Sequence, residues 1–236
     1  MELRQAMTTT PATREFSDEP LPDATLYHIL DAARFAPNGG NRQAWHVTVV
    51  RDQQARDRLA DLWELAQRED HAFYNAGLVP FVASEAYWRN PPGGPSVQPI
   101  DLEEARRTPL EGARGTTPAT IRAASVLLAV TLDLTKVTAM DSGLGRFSIC
   151  GGGSVYPFAH NVLLAARDAG YGGVITTVLV RREQEVKEML RIPEDHVLAC
   201  TIPLGKPKRQ VTRLRRNRVE DFTTMATFDG EPFTAP

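Results

Sequence analysis

The residues of this chain whose types and spacing could do chemistry are glycines, side-chain amides and arginines. One stretch reads Pro37-Asn38-Gly39-Gly40-Asn41-Arg42-Gln43, a second Gly151-Gly152-Gly153, and a third Gly170-Tyr171-Gly172-Gly173. Arg14 lies near the start, and Arg215 and Arg216 near the end. Backbone N–H groups in such turns, together with side-chain amides, pair with the polar edge of a heterocycle, and a guanidinium presents a planar fork of donors to phosphate oxygens. The set suits a large, planar, phosphorylated ligand without saying which one. The triple glycine ahead of a helix reads equally as an anion site and as a flexible turn. Tyr156, at that helix start, reads as core before it reads as catalytic.

Other chemistries are excluded by what is missing. Gly143 and Gly145 are followed by Arg146, Phe147 and Ser148, with no third glycine. Gly151 and Gly153 have Tyr156 where that glycine belongs, and Gly170 and Gly172 have Ile175. A Rossmann-type dinucleotide loop is therefore not expected. No G-x-x-x-x-G-K-[ST] loop occurs, and Ser154 has Tyr156 where a nucleophile elbow needs glycine. The five histidines are scattered, with no H-E-x-x-H; His160 reads as a surface or structural residue. Cys150 and Cys200 are too few for a disulfide scaffold or a four-thiolate zinc site.

These residues need elements to position them. Leu26, Ile29, Leu30 and Ala33 share a helical face and predict a helix over 23–35, stopped by Pro37 and the glycines after it. A strand is expected over 45–50 and a helix over 54–68, with Leu59, Leu62, Trp63 and Ala66 as its stripe. The stretch 90–118 reads as a long excursion with one short helix near 102–107; such loops are either functional lids or disordered. A buried strand is expected over 125–132. A strongly amphipathic helix follows over 154–169, with Pro157 in its first turn and Gly170 ending it. A strand over 174–180, a helix over 183–190 and a last strand over 197–204 complete a mixed order of helices and strands, which predicts an α+β or α/β fold.

Composition sets the class. The chain has 236 residues, 42% of them hydrophobic, and a formal charge of −2 from 27 basic and 29 acidic groups. That balance removes the usual driver of nonspecific nucleic-acid or anionic-membrane binding. No apolar run approaches the roughly 20 residues that span a bilayer, and the first ten residues lack a signal-peptide core; a cytoplasmic protein is expected. The run 206–218 holds seven basic residues in thirteen. It reads first as a solvated extension, second as arginines that reach a phosphate, and only third as a nucleic-acid contact, because aromatics are not interleaved.

Three segments taken together are more specific: residues 13–22 (TREFSDEPLP), 32–45 (AARFAPNGGNRQAW) and 156–173 (YPFAHNVLLAARDAGYGG). In this order and spacing they resemble the FMN-dependent nitroreductase family, whose pattern is R-x-F, then A-P-S-x-x-N-x-Q-P-W, then N-x-x-L-A-A-x-x-x-G-x-G. The last strand with its exit Leu204-Gly205-Lys206-Pro207, and the arginine-rich end, are also similar. The resemblance implies a single α+β domain over 1–236: a sandwich with a mixed central sheet flanked by helices, in an intertwined homodimer, with a variable lid at about 70–118 and an extended tail from about 206 to 236. It implies bound FMN at the dimer interface and NADPH or NADH as co-substrate. A small acceptor (nitroaromatic, quinone, enone or halogenated aromatic) would then be reduced by a ping-pong cycle. The same residues would serve a flavin-binding protein without turnover, or a specialised member such as a reductive dehalogenase.

Carried over by position, Arg14 would contact FMN at its phosphate or at the N1–C2=O edge. Pro37, Asn38, Gly39, Gly40 and Asn41 would wrap the ribityl chain and ring from the other subunit, and Gln43 would orient that loop or reach the ring edge. Ile175, Thr176 and Thr177 would pass beside N5, with Arg216 and Arg215 on the phosphate. Arg14 and Arg42 are the candidates for the charge near N1. No catalytic side chain, metal, nucleic acid or membrane is implied. Two departures stand out. Thr10-Pro11-Ala12 replaces the family's R-R-S or R-x-S, so the usual first phosphate arginine is missing and Arg14 or the tail must compensate. Asn38 and Ala44 stand where the family has serine and proline.

Overall fold

A strand that opens on a continuous apolar run has to be covered on both faces. β2 (Val126–Asp133), apolar from Val126 to Val130, is such a strand and is buried along its whole length. In a computed structural model, which describes residues 1–76, 101–107 and 115–234, it lies at the centre of a four-stranded sheet. The order is β1 (Trp45–Val50), β2, β4 (His196–Gly205), β3 (Gly172–Gly173). Side chains alternate across the pleat. Val126, Leu128 and Val130 therefore point into one core with α2 (Asp23–Ala33) and α6 (Tyr156–Asp168). Leu127 and Ala129 point into a second core with Leu59, Ala60 and Trp63 of α3 (Gln53–Asn75), Ile121 of α5 (Pro118–Ala123) and Val186 of α7 (Glu183–Leu190). Helices on both faces of a sheet make an α+β sandwich, as expected.

The pairing differs from the expectation in one respect. Every named strand pair among the described residues is antiparallel, where a mixed sheet was expected. β1 and β2 run from Trp45 opposite Leu132 to Val50 opposite Leu127. β2 and β4 pair from Val126 opposite Leu204 to Asp133 opposite His196, with a register shift between Val130 and Thr131. That shift leaves Ala199 without a partner on β2, which makes it a bulged residue.

The strand expected over 174–180 does not form. Gly172 and Gly173 pair with Gly205 and Leu204, Thr176 makes an isolated bridge to Thr201, and Val178–Arg182 then coils into a 3₁₀ turn. The β-branched residues favour a strand locally, but burial of Leu179 in the second core turns the backbone away from the sheet. The approach at Gly173 is close. A Cβ there would lie 2.5 Å from both the Leu204 side chain and the Pro203 carbonyl oxygen, so glycine is required by contact with β4.

Two helices carry no periodic apolar signal. α1 (Leu3–Thr9) is fixed to α6 through the Met1 amine, 2.5 Å from Asp168, and through Arg167, whose Nε donates to Thr9 Oγ1 at 3.2 Å. α5 starts at Pro118, suited to a first turn, with Thr120 Oγ1 accepting from the Thr117 N–H at 3.3 Å. α3 is longer than expected and is capped by Asp52, whose carboxylate accepts from the Ala55 N–H at 2.7 Å. The short helix expected at 102–107 is present as α4 (Leu102–Arg107). The remainder of the expected excursion, apart from residue 101 and residues 115–118, lies outside the described residues.

Candidate functional site

The bulge at Ala199 opens one edge of β4, and two side chains take up its backbone. The Leu198 N–H donates to Glu183 Oε1 at 2.5 Å, and the Tyr156 hydroxyl donates to the Ala199 carbonyl at 3.2 Å. Between this edge, the start of α6, the 3₁₀ turn and the end of α3 lies a cleft of about 1390 Å³. Its walls are mostly apolar, with Phe147, Ile149, Tyr156, Val178 and Val180 prominent, and Asp70, Arg181 and Glu183 bring charge to it. Gly152 also lines it and makes room for the Tyr156 ring; a Cβ at this glycine would meet the ring at 3.1 Å.

Two ionic clusters shape the walls. Glu69, almost fully buried, sits with Oε1 2.6 Å from Arg106 Nε and 3.4 Å from Arg182, and with Oε2 3.5 Å from Arg181. It ties α4 and the 3₁₀ turn to α3. Asp141, also buried, folds the loop that carries Phe147 and Ile149. It accepts from the Ile149 N–H at 2.7 Å, from Ser148 Oγ at 2.8 Å and from Arg146 Nη1 at 2.9 Å. Those bonds hold its carboxyl well below the usual range, the Ile149 N–H first among them. The same carboxylate pushes the Cys150 thiol up. Burial raises Asp70 and the Tyr156 phenol. Buried Cys200 is pushed up to about 12.

The candidate residues fall into three places. Arg14 is next to Thr13, whose N–H donates to the Gly173 carbonyl at 2.8 Å. Its Nε donates to Thr116 Oγ1 at 3.0 Å, and it makes no ion pair with a carboxylate among the described residues. Ile175, Thr176 and Thr177 follow from the same segment. Thr176 exchanges both backbone bonds with Thr201, at 3.0 and 2.8 Å, whereas the Thr177 N–H has no acceptor among the described residues; Thr177 lines the cleft.

The loop Pro37 to Gln43 packs against the residues before α6. Gly39 N–H donates to Ser154 Oγ at 3.3 Å, and Arg42 Nη1 to Thr138 Oγ1 at 3.0 Å. Gly40, Asn41 and Gln43 have φ of 61°, 52° and 48°. Asn38 supports this left-handed run by accepting the Gln43 N–H at 2.8 Å, and the Gln43 amide turns back to the Asn41 carbonyl at 3.4 Å. No hydrogen bond or ion pair among the described residues joins Arg14 to this loop. Arg215 and Arg216 are exposed on the tail, and neither forms an ion pair among the described residues.

Several residues were missed in the sequence. Tyr156 is a cleft residue with its hydroxyl in use, not core; its place five residues before Asn161 on the helix carried no signal of the bulge opposite. Thr116 fell inside a stretch read as an excursion. Asp141 and Glu69 lie in no motif of the sequence. His160 is exposed, as expected. Among the described residues no cluster of three or more histidine, cysteine or carboxylate side chains could hold a metal ion, and no helix is long and apolar enough to cross a membrane.

A sheet covered by helices on both faces, with a mostly apolar cleft at a bulged strand edge, defines an α+β protein. The chain belongs to the Nitroreductase family, whose model matches residues 9–206. It is 25% identical over 202–228 residues to relatives that include the 4-nitrobenzoate reductase of Pseudomonas putida, where 92% of each chain is covered. Among solved structures it is similar to an iodotyrosine deiodinase bound to FMN and 3-iodo-L-tyrosine, with a TM-score of 0.65 at 20% identity over 96% of this chain and all of that one (100%). It is also similar to the NADPH:FMN oxidoreductase of Vibrio harveyi, with a TM-score of 0.63 at 17% identity over 96% and 77%.

Proposed function

We propose that the chain is an FMN-dependent oxidoreductase, working as a homodimer, that moves hydride or electrons from NADPH or NADH to a small organic acceptor in a ping-pong cycle. The observation that carries this reading is the family match over residues 9–206, in a chain whose apolar cleft includes Thr177, whose N–H has no acceptor among the described residues. FMN, when bound, supplies the two-electron chemistry. This chain's own residues bind and orient. Arg14, with no competing carboxylate among the described residues, would sit at the phosphate or at the pyrimidine edge, where a cation offsets the charge that reduction adds. Arg42 is the second candidate for that edge. Ile175 and Thr176 would bring the Thr177 N–H up to the ring, and Arg215 and Arg216 would neutralise phosphate.

Arg14 bonds to Thr116 and Ala12 while Gly39 bonds to Ser154; in a site shared between two chains, the loop of Pro37, Asn38, Gly39, Gly40 and Asn41 would serve the second copy. Tyr156 keeps its proton, because burial raises its phenol, and acts as a donor to Ala199. The apolar walls suit a planar acceptor such as a nitroaromatic, quinone or enone, and the relative acting on 4-nitrobenzoate makes that compound a sensible first substrate. The test is the absorbance of the purified protein together with NAD(P)H oxidation in the presence of a quinone or 4-nitrobenzoate. Flavin bands, FMN released on denaturation and turnover are expected. A colourless protein that ignores added FMN overturns the reading.

A further inference from the structure

Reducing a quinone or a nitro compound takes more than hydride. Electrons that arrive as hydride bring one hydrogen nucleus, and a neutral product needs a second. Between the mostly apolar walls of the cleft, an anion left without that proton is poorly solvated. A side chain that releases a proton where the acceptor sits removes the penalty.

The polar groups of the cleft divide into those already committed and one that is not. Glu183 Oε1 accepts the Leu198 N–H at 2.5 Å. The Tyr156 hydroxyl donates to Ala199, and burial pushes its phenol up, away from the range of a useful acid. Ser148 Oγ donates to Asp141. Arg181 keeps its proton at any working pH. Asp70 remains. It lines the cleft from the C-terminal part of α3, is partly buried, and accepts no hydrogen bond and forms no ion pair among the described residues. Its neighbour Glu69 is held instead by Arg106, Arg181 and Arg182. Burial raises the Asp70 carboxyl, with His71 and Arg181 opposing the rise, whereas hydrogen bonds hold Asp141 low. Surroundings that push two carboxyls in opposite directions mark the raised one as an acid.

We propose that Asp70 is the proton donor of the cleft: its carboxyl hydrogen-bonds the acceptor oxygen and passes its proton to that oxygen as the acceptor takes hydride. This rests on the reading of the chain as a flavin oxidoreductase. For a 1,4-quinone the step balances as follows. Hydride, drawn in the end from NADPH or NADH, forms an O–H bond at one carbonyl oxygen. The electron pair displaced through the ring, which becomes aromatic, arrives on the other oxygen. That oxygen takes the proton as the Asp70 O–H bond breaks. The quinone is reduced, the pyridine nucleotide is oxidised, and the carboxylate recovers its proton from water at the mouth of the cleft.

The experiment begins without reductant, so that nothing turns over. The probe is 2,3-dimethyl-1,4-naphthoquinone, whose substituted ring does not alkylate exposed Cys150. Calorimetry gives its Kd for the full-length protein from pH 4 to pH 9. Asp70 donates only while protonated, so binding should weaken about fivefold as pH rises through its raised value. Asp70→Asn keeps an N–H donor at every pH and should bind with a flat profile; Asp70→Glu should restore the slope. The other ionisable groups nearby are Arg68, Glu69 and His71 on α3, Tyr156 on α6, Arg181 and Arg182 on the 3₁₀ turn, and Glu183 on α7. Any slope that they cause would survive in Asp70→Asn. In turnover, Asp70→Asn should lose roughly 100-fold or more in kcat with KM little changed, because the amide can hold the acceptor oxygen but has no proton to give. Identical pH profiles for wild type and Asp70→Asn overturn the inference, and so does full kcat in Asp70→Asn. Either result leaves the flavin assignment standing, which the colour of the purified protein decides separately.

Discussion

The Tyr156 hydroxyl lies 3.2 Å from the carbonyl oxygen of Ala199, the bulged residue of β4. This one bond ties the first residue of α6 to the strand edge that floors the cleft. Tyr156→Phe leaves that carbonyl without its donor. The expected cost is about 0.5–1.5 kcal/mol, read as a lower urea midpoint at constant m-value. An unchanged midpoint would mean that water replaces the hydroxyl without penalty.

Arg14 should be worth more to the cofactor than to the fold. It is exposed, and its partners are Thr116 Oγ1 and the Ala12 carbonyl. Losing a charge-assisted bond of about 1.5–3 kcal/mol weakens FMN binding by roughly 10- to 100-fold. Fluorescence titration of Arg14→Ala with FMN measures it, and Arg14→Lys should recover part. Equal affinity in all three proteins would remove Arg14 from the site.

Asp141 makes stability depend on acid. Its carboxyl is held below the ordinary value of about 3.9 by the Ile149 N–H, Ser148 and Arg146. A depressed carboxyl contributes stability that is fully present above the unfolded-state value and is lost as pH falls through the folded-state one. Between pH 5 and pH 2 the wild type should therefore lose more stability than Asp141→Asn does. Denaturant melts at several pH values test this, and parallel curves for the two proteins would count against it.

Gly173 is fixed by contact. An added Cβ meets Leu204 and the Pro203 carbonyl at 2.5 Å, and overpacking of this kind costs about 1–3 kcal/mol. Gly173→Ala should lower the melting temperature and also disturb Thr176 and Thr177 downstream. Gly153→Ala, where a Cβ has nothing within 4 Å, is the control and should melt near wild type.

The two thiols should differ sharply. Buried Cys200, pushed up to about 12, should not react with a disulfide reagent until the protein unfolds. Exposed Cys150 should react in the native state, more slowly than a free thiol because Asp141 raises it. Two fast thiols in the native protein would contradict the packing of β4.

The sequence by itself determined the covered sheet and most of its elements. The stripe Leu26, Ile29, Leu30 and Ala33, the stripe of α6 and the apolar run of β2 each state a period, and a period is a local property of the chain. The glycine and amide turn after Pro37 was legible for the same reason. The tertiary structure alone decided what happens where local preference and packing disagree. Ile175, Thr176 and Thr177 read as strand, yet burying Leu179 and the bulge at Ala199 left only the bridge from Thr176 to Thr201. Tyr156, Asp141 and Glu69 draw their roles from partners 43, 8 and 37 residues away. The pairings of Tyr156 and Glu69 depend on how distant segments meet, and that of Asp141 on a loop with no period to announce it.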